Sequence, residues 1–105
     1  MGYSVHTAEP VKAYLRALTG LSREGRVKLF TGYLDALRDR GDELRSEPSA
    51  RYPGDSSLFT FRYVFRDGEW IHTARFVVDD SASVYGVLRV VYADLLEPLR
   101  DPFRR

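Results

Sequence analysis

The chain has 105 residues, of which 44% are hydrophobic and 30% are charged, and these values predict one globular domain, residues 1–105, with a single modest core. It contains no cysteine, which excludes disulfide bonds and zinc or redox sites built on cysteine. Sixteen basic residues against fifteen acidic ones leave a net charge of +1, which argues against a protein that coats nucleic acid by charge alone.

The N-terminal stretch MGYSVHTAEP has no basic segment followed by an apolar one, as a secretory signal would. No apolar run in the chain approaches the roughly 20 residues that a membrane-spanning helix needs. We therefore expect a soluble, unprocessed protein, and the lack of cysteine favours a cytoplasmic location.

The first half of the chain predicts a strand followed by two helices. Residues 3–7 are typical of a short strand, and Thr7 is the expected N-cap of the first helix. Ser22 is the expected N-cap of the second helix, which we expect to end at Gly41 as the residue just past its last turn. Apolar residues follow helical spacing in both segments: Val11, Tyr14, Leu15 and Leu18, then Val27, Phe30, Leu34 and Leu37.

The second half predicts a loop, three strands and a tail. Residues 42–57 contain two prolines and no sustained period, which indicates a long connecting loop. The strands are expected over residues 58–66, 70–78 and 85–92, and Asp67-Gly68 is a strong hairpin signal between the first two. Residues 97–105 predict a short turn and a frayed end.

The order of these elements predicts the fold class. It is α+β, with the order β-α-α-β-β-β, an antiparallel sheet and the two N-terminal helices packed on one of its faces.

Strand alternation then assigns side chains to the two faces of the sheet. A two-residue turn at Asp67-Gly68 pairs Arg66 with Glu69 and Thr60 with Arg75. One parity class is largely aromatic and is expected to form the core: Phe59, Phe61, Tyr63, Phe65, Trp70, His72, Ala74, Phe76 and Val78.

The other class places arginines on the outer face. Arg62 and Arg75 are expected to be diagonal neighbours, about 7–8 Å apart at the backbone, so that both guanidinium groups reach one phosphate. Parity places Arg89 on the same face, and it places Tyr92 on the core side unless the strand has already ended there. The anions that meet this face remain open at this point: phosphates, carboxylates of a partner, or acids of the 42–57 loop folded across it.

Further residues are candidates for contacts with RNA. They are Arg66 at a strand end, Arg51 and Tyr52 in the loop, and Tyr85, whose ring is able to stack on a base. Asp79-Asp80 is typical of a turn rather than of a metal site, and no nucleotide-binding or hydrolase motif is present, so we expect no metal and no cofactor.

The two histidines have modest interpretations. His72 falls on the aromatic face and is expected to be a hydrogen-bonded core residue, whereas His6 is expected to be a solvated residue at the sheet edge.

This arrangement resembles the RelE/ParE superfamily of bacterial toxins, including its HigB-like branch. In that family the segment after the helices commonly reads leucine, any residue, glutamate, leucine, arginine, and the chain has Leu58-Phe59-Thr60-Phe61-Arg62 there. A second family arginine opens the next strand, and Arg75-Phe76-Val77-Val78 matches it in position and character. The resemblance extends over nearly the whole chain in architecture.

The resemblance implies a metal-independent endoribonuclease that cuts mRNA in the ribosomal A site, through attack of a 2′-hydroxyl on the neighbouring phosphate. By this resemblance Arg62 and Arg75 would be the cations at that phosphate, and strand parity alone adds Arg89 as a third. Tyr92 holds about the position of a family residue that transfers protons. An antitoxin protein would be the natural partner.

Two departures from the family pattern keep a second interpretation open. The chain is nearly neutral, and Thr60 and Phe61 stand where the family commonly has glutamate and leucine. The alternative is a non-catalytic interaction module of the same fold, whose arginine face binds an acidic partner or forms a homodimer.

Overall fold

The protein is described by a computed structural model over residues 2–103, so Met1, Arg104 and Arg105 of the predicted domain and tail lie outside the described residues. Two helices cover one face of a five-stranded sheet. In chain order the elements are β1 (Ser4–Thr7), α1 (Glu9–Ala17), α2 (Arg23–Ser46), β2 (Leu58–Asp67), β3 (Trp70–Asp79), β4 (Val87–Leu95) and β5 (Leu99–Arg100).

The sheet has the strand order β1-β4-β3-β2, and β5 pairs with β3 beyond the end of β4. The meander β2-β3-β4 is antiparallel, while β1 lies parallel to β4 at one edge, so the complete sheet is mixed. Short 3₁₀ turns precede β2 at Pro48–Ala50 and β4 at Ser83–Tyr85. The predicted α+β class, with both helices on one face, is confirmed.

The core lies between the helices and the aromatic face of the meander. Phe59, Phe76 and Leu88 have no exposed surface, and the ring of Tyr33 from α2 stacks on Phe76 with centroids 4.6 Å apart. The predicted core residues of β2 and β3 are buried with two exceptions, because Tyr63 is half-buried and Trp70 is 41% exposed near the hairpin turn.

Helix α2 begins as predicted but does not end as predicted. The Ser22 side chain accepts a hydrogen bond from the Gly25 amide at 3.0 Å, which confirms the N-cap. Gly41 does not end the helix, which bends at Arg40 and continues to Ser46. A Cβ atom at Gly41 would lie 2.5 Å from Cδ2 of Tyr3, so this glycine permits close packing rather than a turn.

The start of α1 also differs from the prediction. Its N-cap is Ala8, without a side-chain hydrogen bond. Thr7 instead ends β1, and its Oγ1 atom lies 2.9 Å from the hydroxyl of Tyr33 in α2. The threonine therefore joins the edge strand to the helical layer.

The predicted 42–57 loop is shorter and more ordered than expected, because residues 42–46 belong to α2. Asp80, only 7% exposed, holds the rest of the loop in place. Its carboxylate accepts hydrogen bonds from Arg45 Nε at 3.2 Å and from Arg51 Nη2 at 2.8 Å. These contacts join the end of α2, the loop and the β3–β4 connection.

The last strand and the tail are corrected as well. The strand predicted over residues 85–92 is β4, Val87–Leu95, because Tyr85 belongs to a 3₁₀ turn that ends at Gly86 with φ +77°. The tail is not a frayed end over its described part, since β5 pairs with Trp70 and Ile71. Asp101, 5% exposed, then forms an ion pair with Arg66.

Candidate functional site

The β2–β3 hairpin places two arginines side by side on the outer face. Asp67 pairs with Trp70, so Gly68 and Glu69 form the turn, and the register differs by two residues from the predicted one. A slip of two leaves every side chain on its predicted face. Arg62 and Arg75 are therefore direct cross-strand partners rather than diagonal ones, and both are exposed.

A β-bulge in β4 changes the position of Tyr92. Val77 pairs with Tyr92 and Val78 pairs with Val90, so Val91 is an extra residue opposite the junction. The bulge reverses the alternation, and Tyr92 lies on the outer face with 53% of its surface exposed. The prediction that Tyr92 shares the core side was wrong because a regular strand was assumed.

Residues of β2, β3 and β4 line a groove of about 590 Å³ on the outer face of the sheet. Tyr52, from the loop before β2, forms one wall, because its amide donates to the carbonyl of Leu58 at 3.0 Å and holds the loop against the strand. Arg62, Arg75 and Tyr92 line the same groove, and Val77 and Val91 supply apolar surface.

Asp94 is the acid that meets Arg75 on this face, and the sequence reasoning missed it. It is the cross-strand partner of Arg75 in β4. Its two carboxylate oxygens accept from Arg75 Nε at 2.9 Å and from Arg75 Nη2 at 2.5 Å. These hydrogen bonds raise the pKa of Arg75 further above its usual range.

The ion pair has two consequences for the groove. Two like charges directly opposite each other repel, and Asp94 offsets part of that repulsion between Arg62 and Arg75. Asp94 also fixes the orientation of Arg75 while occupying only two of its five N–H donors, so the remaining donors are available to a phosphate. Among the described residues Arg62 has no ion pair within 4.0 Å.

Arg89 does not join Arg62 and Arg75. It lies on the outer face as predicted, but it lines a separate pocket with His6 at the β1 side of the sheet. Along β3 the two positions are four residues apart, from Arg75 to the Arg89 partner Asp79, which is about 13 Å. One phosphate therefore does not reach all three arginines.

The four predicted RNA-contact residues have different environments. Arg66 is engaged by Asp101, and Arg51 is engaged by Asp80 and by the carbonyl of Arg45. Tyr85 is 84% exposed on the turn before β4, away from the groove that Tyr52 lines.

His72 is buried as predicted, with 4% of its surface exposed, and its ring stacks on Phe65 with centroids 5.1 Å apart. The expected hydrogen bond is absent, because neither ring nitrogen has a partner among the described residues. Burial lowers the pKa of His72, partly offset by the nearby charge of Asp67. His6 is exposed, with Nε2 3.2 Å from Ser4 Oγ.

Over residues 2–103, no group of three or more acidic or histidine side chains is arranged to hold a metal ion. The same part of the chain contains no helix that is long and apolar enough to span a membrane.

Comparison with known proteins adds one finding. No protein-family profile matches the chain, and no curated protein matches it. Among solved structures, it is similar to a double arginine-to-alanine mutant of the E. coli toxin RelE in the free state, with a TM-score of 0.55. The two share 16% identity, and the match covers 89% of this chain and 82% of the other. The chain has a RelE-like fold. At this level of identity, the similarity concerns the fold alone.

Proposed function

We propose that this chain is a toxin of the RelE/ParE type, in the HigB-like branch, that cuts mRNA as a metal-independent endoribonuclease. The observation that carries the proposal is the groove in which Arg62, Arg75 and Tyr92 meet on the open face of a RelE-like fold. A cytoplasmic protein that acts on ribosome-bound mRNA and is held inactive by an antitoxin follows from this assignment.

The arginines suit a phosphate that gains charge during the reaction. Their strands place them directly opposite each other, so two guanidinium groups face one position in the groove. When the 2′-oxygen attacks the neighbouring phosphorus, the non-bridging oxygens become more negative in the transition state, and preorganised cations stabilise that charge. Asp94 holds Arg75 in place beforehand, which reduces the ordering that the substrate must impose.

Tyr92 suits the proton transfer. With the bulge, Tyr92 lies on the same face as both arginines, and 53% of its surface is exposed. In the proposed step the 2′-oxygen–phosphorus bond forms and the bond from phosphorus to the 5′-oxygen breaks. The 2′-hydroxyl proton passes to solvent, and Tyr92 donates a proton to the leaving 5′-oxygen. The products are a 2′,3′-cyclic phosphate and a 5′-hydroxyl end.

The proposal is tested by expressing wild type and variants while following growth, and by assaying cleavage of RNA with and without ribosomes. We expect Arg62→Ala and Arg75→Ala each to lower cleavage by about 10²–10³-fold, the loss typical of one oxyanion-stabilising donor. Both variants should melt close to wild type, because an exposed arginine contributes under about 1 kcal/mol to stability.

One control variant and three further tests distinguish the proposed reaction from an indirect loss of activity. Arg23→Ala removes an exposed arginine at the start of α2, in the helical layer, and should leave cleavage unchanged. Tyr92→Phe should slow cleavage, EDTA should not slow cleavage of free RNA, and a substrate with 2′-deoxyribose at the cut site should resist. A wild-type protein that neither arrests growth nor cuts RNA in any of these assays would refute the enzyme assignment.

A second candidate is supported by the ion pair itself. Arg75 already binds a carboxylate, which is the group that an acidic partner segment would present. In that case the groove belongs to a non-catalytic interaction module, which binds an acidic protein or a second copy of the chain. Loss of partner binding in Arg62→Ala, together with a wild type that shows no cleavage, would favour this candidate.

A further inference from the structure

A second basic site lies on the outer face, outside the groove. His6 in β1 and Arg89 in β4 are cross-strand partners, and both are exposed. They line a shallow pocket of about 510 Å³ together with Asp79, at the end of β3, and Ser81, in the turn that follows. Because β1 and β4 are parallel neighbours, the two side chains leave the sheet about 4.8 Å apart at the backbone.

Arg89 is less neutralised than Arg75, although an acid lies beside it. Asp79 is the cross-strand partner of Arg89 in β3, but no carboxylate oxygen within residues 2–103 lies within 4.0 Å of the Arg89 guanidinium. The Asp79 carboxylate instead accepts a hydrogen bond from the Ser81 amide at 2.8 Å. The guanidinium of Arg89 is therefore available to an external anion.

The spacing of the two basic sites indicates what kind of anion spans them. Arg75 and Asp79 are four residues apart in β3, about 13 Å along the strand, and Arg89 lies beside Asp79. Tyr92 pairs with Val77 and so lies midway between the sites. Cations spaced along a surface with an exposed aromatic ring between them are typical of proteins that bind single-stranded nucleic acid.

We propose that His6 and Arg89 form a second phosphate subsite for single-stranded RNA, a few nucleotides away from the phosphate that Arg62 and Arg75 hold. The inference rests on the proposed function, because it uses the same substrate. The RNA strand would cross the outer face along the direction of β3 and β4 and pass over Tyr92. Arg89 binds substrate and does not take part in bond breaking.

The test measures binding without cleavage. Fully 2′-O-methylated RNAs cannot react through the 2′-hydroxyl, so their affinities report binding alone. A labelled dinucleotide is long enough for the groove but not for both sites, whereas an octanucleotide reaches both. Fluorescence anisotropy of wild type, Arg62→Ala, Arg89→Ala, His6→Ala and the control Arg23→Ala compares the two lengths over a range of salt concentrations.

We expect Arg89→Ala to weaken octanucleotide binding by about 10-fold at low salt and to leave dinucleotide binding unchanged. The slope of log affinity against log salt for the octanucleotide should become shallower by about 0.7, the value for one lost phosphate contact on a single strand. His6→Ala should weaken the octanucleotide in the same length-dependent way. Arg62→Ala should weaken both lengths, and Arg23→Ala neither.

The outcomes separate this inference from the proposed function. If wild type binds both RNAs through Arg62 and Arg89→Ala changes neither, the second subsite is refuted while the proposed function stands. If no RNA binds to wild type at all, the subsite is refuted, whereas the proposed function is decided separately by the growth and cleavage assays with and without ribosomes. An equal loss for both lengths in Arg89→Ala also refutes the subsite, because it would place Arg89 at the same phosphate as Arg62.

Discussion

The two faces of the sheet differ in what covers them and in what their side chains do. On the inner face Phe59, Phe76 and Leu88 are fully buried beneath the two helices. On the outer face the groove residues Arg62 and Tyr92 are exposed. Stability therefore depends on one side of these strands, and the proposed binding surface lies on the opposite side.

The division has an energetic basis. Removing a fully buried phenylalanine side chain typically costs about 3–5 kcal/mol, whereas removing an exposed charged side chain costs under about 1 kcal/mol. Neighbouring residues of β3, such as Arg75 and Phe76, therefore differ several-fold in the stability that is lost when their side chains are removed. The outer face is therefore free to carry charges that the packed inner face would not tolerate.

The largest predicted change in stability tests how tightly α2 packs against the inner face of the sheet. We expect Gly41→Ala to destabilise the protein by about 1–3 kcal/mol, because the new Cβ would lie 2.5 Å from Tyr3 and 2.9 Å from Cδ1 of the buried Leu88. Chemical denaturation of wild type and variant measures the difference.

Gly32→Ala in the same helix is the matched control. The nearest atoms to its Cβ would be the outer end of the half-buried Tyr63 ring, a flexible side chain, whereas Gly41 also meets the buried Leu88; the gain in helix propensity, up to about 1 kcal/mol, applies at both positions. Equal losses of stability in the two variants would show that α2 accepts an added methyl group equally well at both positions. That result would contradict the expected tight packing at Gly41.

Much of the fold was predictable because it depends on alternation and helical spacing. The faces of β2 and β3 were assigned correctly although the register was off by two, since a slip of two residues preserves parity. Arg62 and Arg75 were consequently placed on the correct face.

The site was less predictable because it depends on one irregularity. Val90-Val91-Tyr92 has the composition of a regular strand, and nothing in it indicates that Val91 is an extra residue. That bulge moves Tyr92 to the groove and aligns Asp94 with Arg75. Gly41 shows the same limit in a helix, because glycine is typical both of a helix end and of a close contact, and only the packing of Tyr3 distinguishes them.

A smaller effect tests His72, an ionisable ring that is buried on the inner face. The pKa of His72 is lowered in the folded state, chiefly by burial, so below its unfolded value of about 6.5 the unfolded chain binds a proton that the folded chain resists. The free energy of unfolding should therefore fall as the pH decreases from 7.5 to 5.5, by at most about 1.4 kcal/mol per pH unit.

Urea denaturation at both pH values measures this change, and His72→Phe is the control, because it keeps a ring against Phe65 and cannot titrate. Its stability should depend less on pH over this range. Asp67 does not confuse the result: its pKa is lowered, mainly by the hydrogen bond from Ser22, so its stabilising effect is lost only at more acidic pH. An unchanged pH dependence in His72→Phe would contradict the assignment.

The smallest expected effect tests whether the outer-face ion pair orients Arg75 or supports the fold. The Arg75 and Asp94 side chains are 46% and 24% exposed, and partly exposed pairs typically contribute about 0.2–1 kcal/mol. A double-mutant cycle with Arg75→Ala, Asp94→Ala and both together should give a coupling energy in that range, falling at high salt because screening weakens such pairs.

Asp94→Asn should then melt close to wild type yet lower RNA cleavage, since a neutral amide holds the guanidinium less firmly. A large coupling energy that does not respond to salt would show that the pair stabilises the fold itself, and the separation between the two faces would be weaker than the structure indicates.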